Sequence, residues 1–557
     1  MPELFRTFLP LRNPIGFGAS DFIELALAIL LLVFALLNQS RLQLYFRKLA
    51  EKPVWCMSLL AILPIALRLL LAVHYPIPTP YVSDDFSYLL EADTLRHFRL
   101  ANPVHPLHQF FETFFVLQEP TYSSIFPLGQ ALVLALGWTV FGHPWAGVAL
   151  SIGAFCALCY WMLRGWTTPA WALLGGLLAV IEFGPINQWM NSYWGGGVSA
   201  VAGCLAFGAL PRLRETARLR DGILLGVGLA LQFLTRPFEW IFLIVSVALF
   251  FAFPLIRRVE LKPLAAAALV MLPAVGLTLL QNRQVTRSWT TLPYMQSRYQ
   301  YGVPATFTVQ PNAVAHREMT REQQLDYMLQ SEIHGKDTDT FATYFARLGG
   351  RVKNYRFFFL PPLYLALPFF LLSLRERRFA WVAITLLLFA LGTNFYPYFY
   401  SHYIAAATCL FVLASVVGLQ KLSRWRPEPA RLLIYLCFAH FFFWYGLLLV
   451  GDQEFSQAMR RYETWDAINQ GDPEGRIAIN AQLAQAPGKQ LVFVRYSAQH
   501  QFREWVHNGA DIDGSTIVWA RDLGEEENKK LLEYYPDRSV WLLEPDMRPP
   551  RLRPYPR

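Results

Sequence analysis

The sequence is poor in charge. Only 16% of its 557 residues are Asp, Glu, Lys or Arg, against about 25% in soluble domains, and 54% are hydrophobic. That excludes an ordinary soluble enzyme and a disordered chain. Cysteine is also scarce. Cys56, Cys156, Cys159, Cys204, Cys409 and Cys437 all fall within apolar runs, so the polar segments have no disulfide framework. The pair Cys156 and Cys159, at helical spacing in such a run, reads as two small packing residues rather than a redox centre. No small-residue cleavage site follows the first apolar run, so no cleavable signal peptide is expected. Net charge is +9. In an apolar chain this need not mean nucleic acid, because cytoplasmic loops of membrane proteins collect Lys and Arg; no nucleic-acid partner is expected.

The charge that is present is unevenly placed. Of 89 charged residues, 31 lie in the last 107 positions. This divides the chain into a membrane part, 1–450, and a soluble tail, 451–557. A bilayer span needs about 17–25 mostly apolar residues. The pattern predicts about twelve: 21–38, 55–73, 145–163, 169–186, 197–211, 221–235, 238–256, 262–280, 357–374, 379–395, 402–420 and 432–450. The connections holding Arg41, Arg47, Lys48 and Lys52; Arg212, Arg214, Arg218 and Arg220; Arg257 and Arg258; Arg375, Arg377 and Arg378; and Lys421, Arg424, Arg426 and Arg431 are basic, whereas 187–196 and 396–403 contain no Lys or Arg. The basic set is expected in the cytoplasm. Pro127–Gly142 is apolar enough to span, but the alternation holds throughout only if it lies on or dips into the outer surface. Loops 74–144 and 281–356, the tail and both termini are then extracytoplasmic, so chemistry would take place at the outer leaflet.

The loop after the second span carries adjacent carboxylates, Asp84 and Asp85, at the start of a helical pattern through Leu89, Leu90, Ala92, Leu95 and Phe98. Ser83 or Asp84 could cap that helix. Capping alone explains a pair poorly. Against a membrane face a carboxylate is partly desolvated, which raises its pKa and suits it to take a proton from a hydroxyl.

These residues resemble a known family. The acidic pair, Tyr88 four residues on, a surface helix and a second apolar helix entered through Pro127 are similar to the GT-C glycosyltransferases. Within them the likeness is to the protein O-mannosyltransferase and lipid A aminoarabinose transferase group, family 39-like. Thr235-Arg236-Pro237 at a span end, Ser401-His402-Tyr403-Ile404 opening a late span, and the soluble tail add to the likeness. Where the group tends to have Lys-Pro, this chain has Phe126-Pro127. The resemblance implies inverting transfer of a sugar from a polyprenyl-phosphate donor to a hydroxyl of a glycan, lipid or protein acceptor, on the outer face of a bacterial inner membrane. It implies Asp84 as base and Asp85 as its partner, either a supporting acceptor or a ligand of a divalent cation. Arg236 would hold the phosphate, and Tyr88, His402, Tyr403 and Arg68 would complete the binding site. The plainer alternative for Arg236 and Arg68 is snorkelling to headgroups.

Other candidates compete. His105, His108 and Glu112 have metal-ligand spacing, but Pro103 and Pro106 interrupt the helix this needs, and surface polar contacts are expected instead. Trp189, Tyr193, Trp194 and Gly195–Gly197 read either as an interfacial belt or as a sugar-stacking platform. Pro293, Tyr294, Arg298, Tyr299 and Tyr301 form a loop rich in sugar-compatible groups. In the tail, a polar helix pattern to about Gln470 precedes strands at 491–496, 516–520 and 540–544 and a helix at 525–535. This is a small α/β arrangement with parallel pairing and no phosphate loop or triad signature, read as serving acceptor recognition or stability. The competing class is a transporter or flippase of lipid-linked or envelope substrates. No internal repeat supports it.

Overall fold

The computed structural model describes residues 19–252, 260–335, 337–450 and 472–556. The basic pair Arg257 and Arg258 and the polar helix expected up to Gln470 lie outside the described residues. Each apolar segment expected to span is helical over most of its length, except 357–374. Among the described residues five helices are long and apolar enough to cross a membrane: Pro53–Val73, Trp145–Leu163, Leu261–Thr286, Ser401–Trp425 and Pro427–Val450; Glu24–Leu37, Leu128–Phe141, Pro169–Phe183 and Pro237–Ala252 are shorter apolar helices.

Segment 357–374 is corrected. It forms 3₁₀ turns at Val352–Phe358 and Pro361–Leu365 and one helical turn at Leu367–Leu371. Pro361, Pro362 and Pro368 supply no N–H for a continuous ladder, which breaks it. Phe357, Phe358, Leu360 and Leu363 are nevertheless buried in the main core.

The helices Ser83–Arg96 and Leu128–Phe141 lie side by side. Tyr88 stacks on Phe126 at 4.4 Å, and Arg96 sits 4.3 Å over the Trp138 ring. The two therefore run in the same direction. After a turn through Gly142 at φ 78°, the next helix packs back on Leu128–Phe141 so closely that a Cβ on Gly147 would lie 2.1 Å from the Val133 carbonyl oxygen.

The first polar loop holds a two-stranded antiparallel ribbon, β1 Val116–Leu117 and β2 Ser123–Ser124. The C-terminal region is a four-stranded sheet ordered β4-β3-β5-β6, with β3 Gln490–Val494, β4 Ile517–Arg521, β5 Ser539–Glu544 and β6 Arg551–Pro554. β3 is parallel to β4 and β5; β6 is antiparallel to β5. A helix, Glu525–Tyr534, joins β4 to β5. Side chains alternate between faces. Leu491, Phe493, Val518 and Leu542 pack with Leu90, Phe110 and Phe111 of the first polar loop, while Val492, Val494, Trp519 and Leu543 pack with Ile479, Leu483 and Trp505. The sheet thus sits directly on loop 74–126. At the other end of the bundle the basic connections meet one another: Arg212 donates to the Trp161 carbonyl at 2.7 Å, and Lys421 pairs with Glu376 at 3.0 Å.

Helix Gly197–Thr216 meets the 3₁₀ segment Ser401–Ala407 with no room to spare. A Cβ on Gly203 would lie 1.8 Å from the Ala406 carbonyl oxygen. Gly203→Ala is therefore expected to cost about 1–3 kcal/mol through overpacking. Gly276→Ala, where no atom lies within 4 Å, is expected to be neutral or slightly stabilising, because helical glycine costs about 0.5–1 kcal/mol relative to alanine. Thermal midpoints of the purified variants in detergent distinguish the two.

Candidate active site

The helix Ser83–Arg96 begins after Val82, whose backbone is extended. Neither Ser83 nor Asp84 caps it. The cap comes from Asp85, which reaches back so that Oδ2 accepts from the N–H groups of Tyr81 at 3.0 Å and Val82 at 3.3 Å. Its Oδ1 accepts from the Tyr193 N–H at 2.8 Å. Asp85 is buried and ties the acidic turn to loop 187–196. Burial pushes its carboxyl up to about 7, against the pull of the Tyr193 and Val82 N–H groups.

Asp84 is half-buried, and among the described residues its carboxylate has no side-chain hydrogen-bond partner. Burial, reinforced by the charge of Asp85 and opposed by its own backbone N–H and by Arg236, pushes it up to about 7. The carboxyl is thus divided between its two protonation states near neutral pH, with acceptor oxygens to spare.

Arg236 follows the last residue of helix Leu219–Thr235, and Pro237 starts the next helix. Its guanidinium lies 4.9 Å over the Tyr403 ring and 3.8 Å from Glu239. No hydrogen-bond acceptor among the described residues engages its donors. Tyr403 belongs to the 3₁₀ segment Ser401–Ala407. Beside it, His402 is buried, with Trp194 edge-on at 4.5 Å and Tyr400 stacked at 5.6 Å. Arg236 acts electrostatically on Asp84, and both, with Glu239, act on Tyr88, Tyr396 and Tyr403, so these six side chains cluster at one site. Burial pushes the Tyr88 hydroxyl up to about 12, keeping it a neutral donor.

The structure places Arg68 elsewhere. At 1% exposure it donates to Asn191 Oδ1 at 2.7 Å and to the carbonyls of Tyr75 at 2.9 Å and Pro76 at 2.8 Å. It fastens the two loops behind Asp85 and presents no accessible donor to a substrate.

His105 turns away from His108 and Glu112, which meet at Arg317. His105 meets Asp513 and Tyr535, His108 meets Arg317, and Glu112 accepts from Tyr301, Arg317 and Gln323. Trp189 and Tyr193 are packed in the core, with Gly196 against the Trp189 ring; only Trp194 borders the pocket. Residues 293–301 form a helix, not a loop, and Arg298 there is spent on the carbonyls of Pro304 and Ala305. Among the described residues no group of three or more His, Cys, Asp or Glu could hold a metal ion. The acidic pair fits a divalent cation poorly, because both Asp85 oxygens already accept backbone N–H bonds, leaving one carboxylate.

Sequence reasoning missed three contributors. Glu239 and the Tyr396–Tyr400 run border the pocket; the run of aromatics between two spans was a readable signal. Asp326, on helix Arg321–His334, also acts on Asp84 and Tyr398. It accepts from Gln330 at 2.9 Å, and burial pushes its carboxyl up to about 6. Nothing in the sequence marks it apart from other surface carboxylates.

No family model and no curated protein matches this chain. Among solved structures, the apo state of ArnT from Cupriavidus metallidurans superposes with a TM-score of 0.48 at 13% identity, over 87% of this chain and 92% of that one. The same protein bound to undecaprenyl phosphate gives 0.47 at 11% identity over the same shares. The apo oligosaccharyltransferase of Archaeoglobus fulgidus gives 0.39 at 13% identity, over 80% and 62%. These likenesses concern the path of the chain, and no residue role follows from them.

The two aspartates are expected to differ in what they do for stability. Asn at 85 can offer one acceptor oxygen where the two carboxylate oxygens accept from three N–H groups, so Asp85→Asn is expected to cost about 1–3 kcal/mol. Asp84→Asn removes a carboxyl whose folded pKa is raised. Such a group holds its proton in the folded state while the unfolded chain releases it, so its contribution is lost as pH rises from about 4 to about 7. Asp84→Asn should therefore match wild type in thermal midpoint near pH 4 and exceed it above pH 7. A variant less stable than wild type at pH 8 would contradict the buried, unpartnered carboxylate.

Proposed function

We propose that this chain is a membrane glycosyltransferase that moves a sugar from a polyprenyl-phosphate donor to an acceptor hydroxyl, with inversion. The supporting observation is that a carboxylate without a side-chain hydrogen bond, its pKa pushed up to about 7, lies near a guanidinium whose donors meet no hydrogen-bond acceptor among the described residues, with tyrosines around both. A single displacement at the anomeric carbon needs those two groups. The base, Asp84, takes the acceptor proton as the new C–O bond forms. The old bond to phosphate breaks, and the leaving polyprenyl phosphate carries away both electrons and the developing charge, which Arg236 meets with charge-assisted hydrogen bonds. A base whose pKa lies near the working pH is the most effective. Asp85 is not the base, because both its oxygens are occupied by backbone N–H groups. It positions Asp84 and raises its pKa by standing beside it. Tyr88, Tyr396, Tyr400 and Tyr403 offer aromatic faces and neutral hydroxyls, which suit sugar rings.

The site end is proposed to be extracytoplasmic, in a bacterial inner membrane, with the basic connections at the opposite end in the cytoplasm. The lipid donor and surrounding membrane lipids would reach Arg236 at the end of its span. A glycan, lipid or protein acceptor would come from the side of the polar loops.

Two outcomes are expected with a purified, lipid-reconstituted enzyme and a defined polyprenyl-phosphate sugar. Asp84→Asn should lower transfer by about 10²–10⁴-fold, and the wild-type rate should rise with pH through about 7 as the carboxyl ionises. Arg236→Ala should weaken donor-lipid binding by roughly tenfold to a hundredfold, the size of one or two charge-assisted bonds, with Arg236→Lys between. Wild-type turnover by Asp84→Asn, or unchanged donor affinity in Arg236→Ala, would remove the corresponding role.

A further inference from the structure

The residues on either side of Asp84 and Asp85 are held by the C-terminal sheet region rather than by the membrane bundle. Phe86 is stacked face to face on His507 at 4.0 Å. Its ring also lies 4.7 Å from the guanidinium of Arg476, which lies 4.3 Å from Trp505 on another side. On the near side of the pair, Arg503 lies 4.2 Å from the Tyr81 ring. Farther along the same helix, Asp93 accepts from the Ala510 N–H at 2.8 Å. Arg476 is itself fixed by donating to the Glu504 carbonyl at 2.9 Å. Burial and the neighbouring Arg476 push His507 well below its ordinary value, so it stacks as a neutral ring.

The same region grips helix Arg321–His334. Arg521 of β4 is buried and ion-pairs with both Glu504 of its own region and Glu322 of helix Arg321–His334. Arg321 donates to the carbonyls of Ser497 and Ala498. Glu322 lies one turn before Asp326, whose charge acts on Asp84. A buried ion pair of this kind is costly to break, because each partner left alone is an uncompensated charge.

We propose that the C-terminal α/β region is a clamp that sets the position of Asp84 against the Asp326 helix, with Arg476 and His507 as positioning residues acting through Phe86 and Arg521 acting through Glu322. Its catalytic part rests on the glycosyltransferase reading; its structural part does not. The stack bears on the chemistry because Phe86 follows Asp85 directly, so the turn cannot shift without moving the ring. A shift of about 1 Å at a reacting group can cost about 10²-fold in rate.

Phe86→Ala tests this in the full-length protein, read by hydrogen–deuterium exchange and by transfer kinetics. Exchange over residues 78–90 should become roughly tenfold faster, the size of one desolvated cation–π contact. Turnover should fall about 10²-fold with KM for the lipid donor unchanged. Phe86→Tyr, which keeps the ring, should restore both. Lys530→Ala, which breaks the exposed pair with Glu527 inside the same region, should change neither. Unchanged exchange at 78–90 in Phe86→Ala overturns the clamp, as does faster exchange spread evenly through the spans. A wild-type chain that transfers no sugar, while Phe86→Ala still loosens the turn, overturns the glycosyltransferase reading and leaves the clamp standing.

Discussion

Asp85 accepts three backbone N–H bonds, two from the residues that lead into its own helix and one from Tyr193, 108 residues further along the chain. That one buried carboxylate joins the first polar loop to the loop between two later helices. Arg68 reinforces the joint from behind through Asn191 and the carbonyls of Tyr75 and Pro76. Without it the first turn of the helix would lose the acceptor for its leading N–H groups, and Asp84 would have no fixed place. The adjacency of the two acids is therefore a division of labour. One is saturated with donors and positions; the other is left without them and faces the pocket. Shielding from water lifts Asp84 toward neutrality, and the absence of a tight cationic partner keeps it there.

The same logic separates the two arginines that sequence alone treats alike. Both Arg68 and Arg236 lie near span ends, where snorkelling is the ordinary expectation. Arg68 is surrounded by carbonyl oxygens and is consumed by them. Arg236 stands between two helices in a non-helical conformation, φ −147° and ψ 84°, and precedes a proline. Its nearest anion, Glu239, stands at 3.8 Å, too far for a hydrogen bond. A guanidinium with donors to spare beside the Tyr403 ring retains its capacity for an anionic ligand.

Much of this was legible in the sequence. Helix-length apolar runs mark the membrane part, because a bilayer leaves the backbone few alternatives. Short β-branched and aromatic runs mark β3, β4 and β5. The acidic pair and Arg236 stand out because charge in such places is expensive. What failed did so for physical reasons. Segment 357–374 has the hydropathy of a span, but Pro361, Pro362 and Pro368 outweigh it locally. β6, with the sequence Arg-Leu-Arg-Pro, carries no strand pattern and pairs only because β5 offers an open edge. Arg68 cannot be told from a binding residue until its carbonyl partners are known. Asp326 is brought to the pocket by tertiary docking, which no local pattern encodes.

That docking also explains why a small soluble region belongs to a membrane protein of this kind. The acidic helix is divided between two cores: Tyr88 and Ala92 pack in the bundle, while Leu90 packs outside it with Phe110 and Phe111 of the polar loop, a small cluster that needs a cover. The sheet supplies the missing surface. Leu491, Phe493 and Val518 cover Leu90, Phe110 and Phe111, while the charged and aromatic groups at the rim, Arg476, Arg503 and His507, fix the direction in which the helix starts. Apolar burial is non-directional and sets how firmly the sheet is seated. The stacked rings and the Arg521–Glu322 pair are directional and set the register. Seating without register would leave Asp84 buried but misplaced, and register without seating would leave it in water, with the pKa of an ordinary carboxylate. A carboxyl near neutrality, facing an unspent guanidinium, requires both.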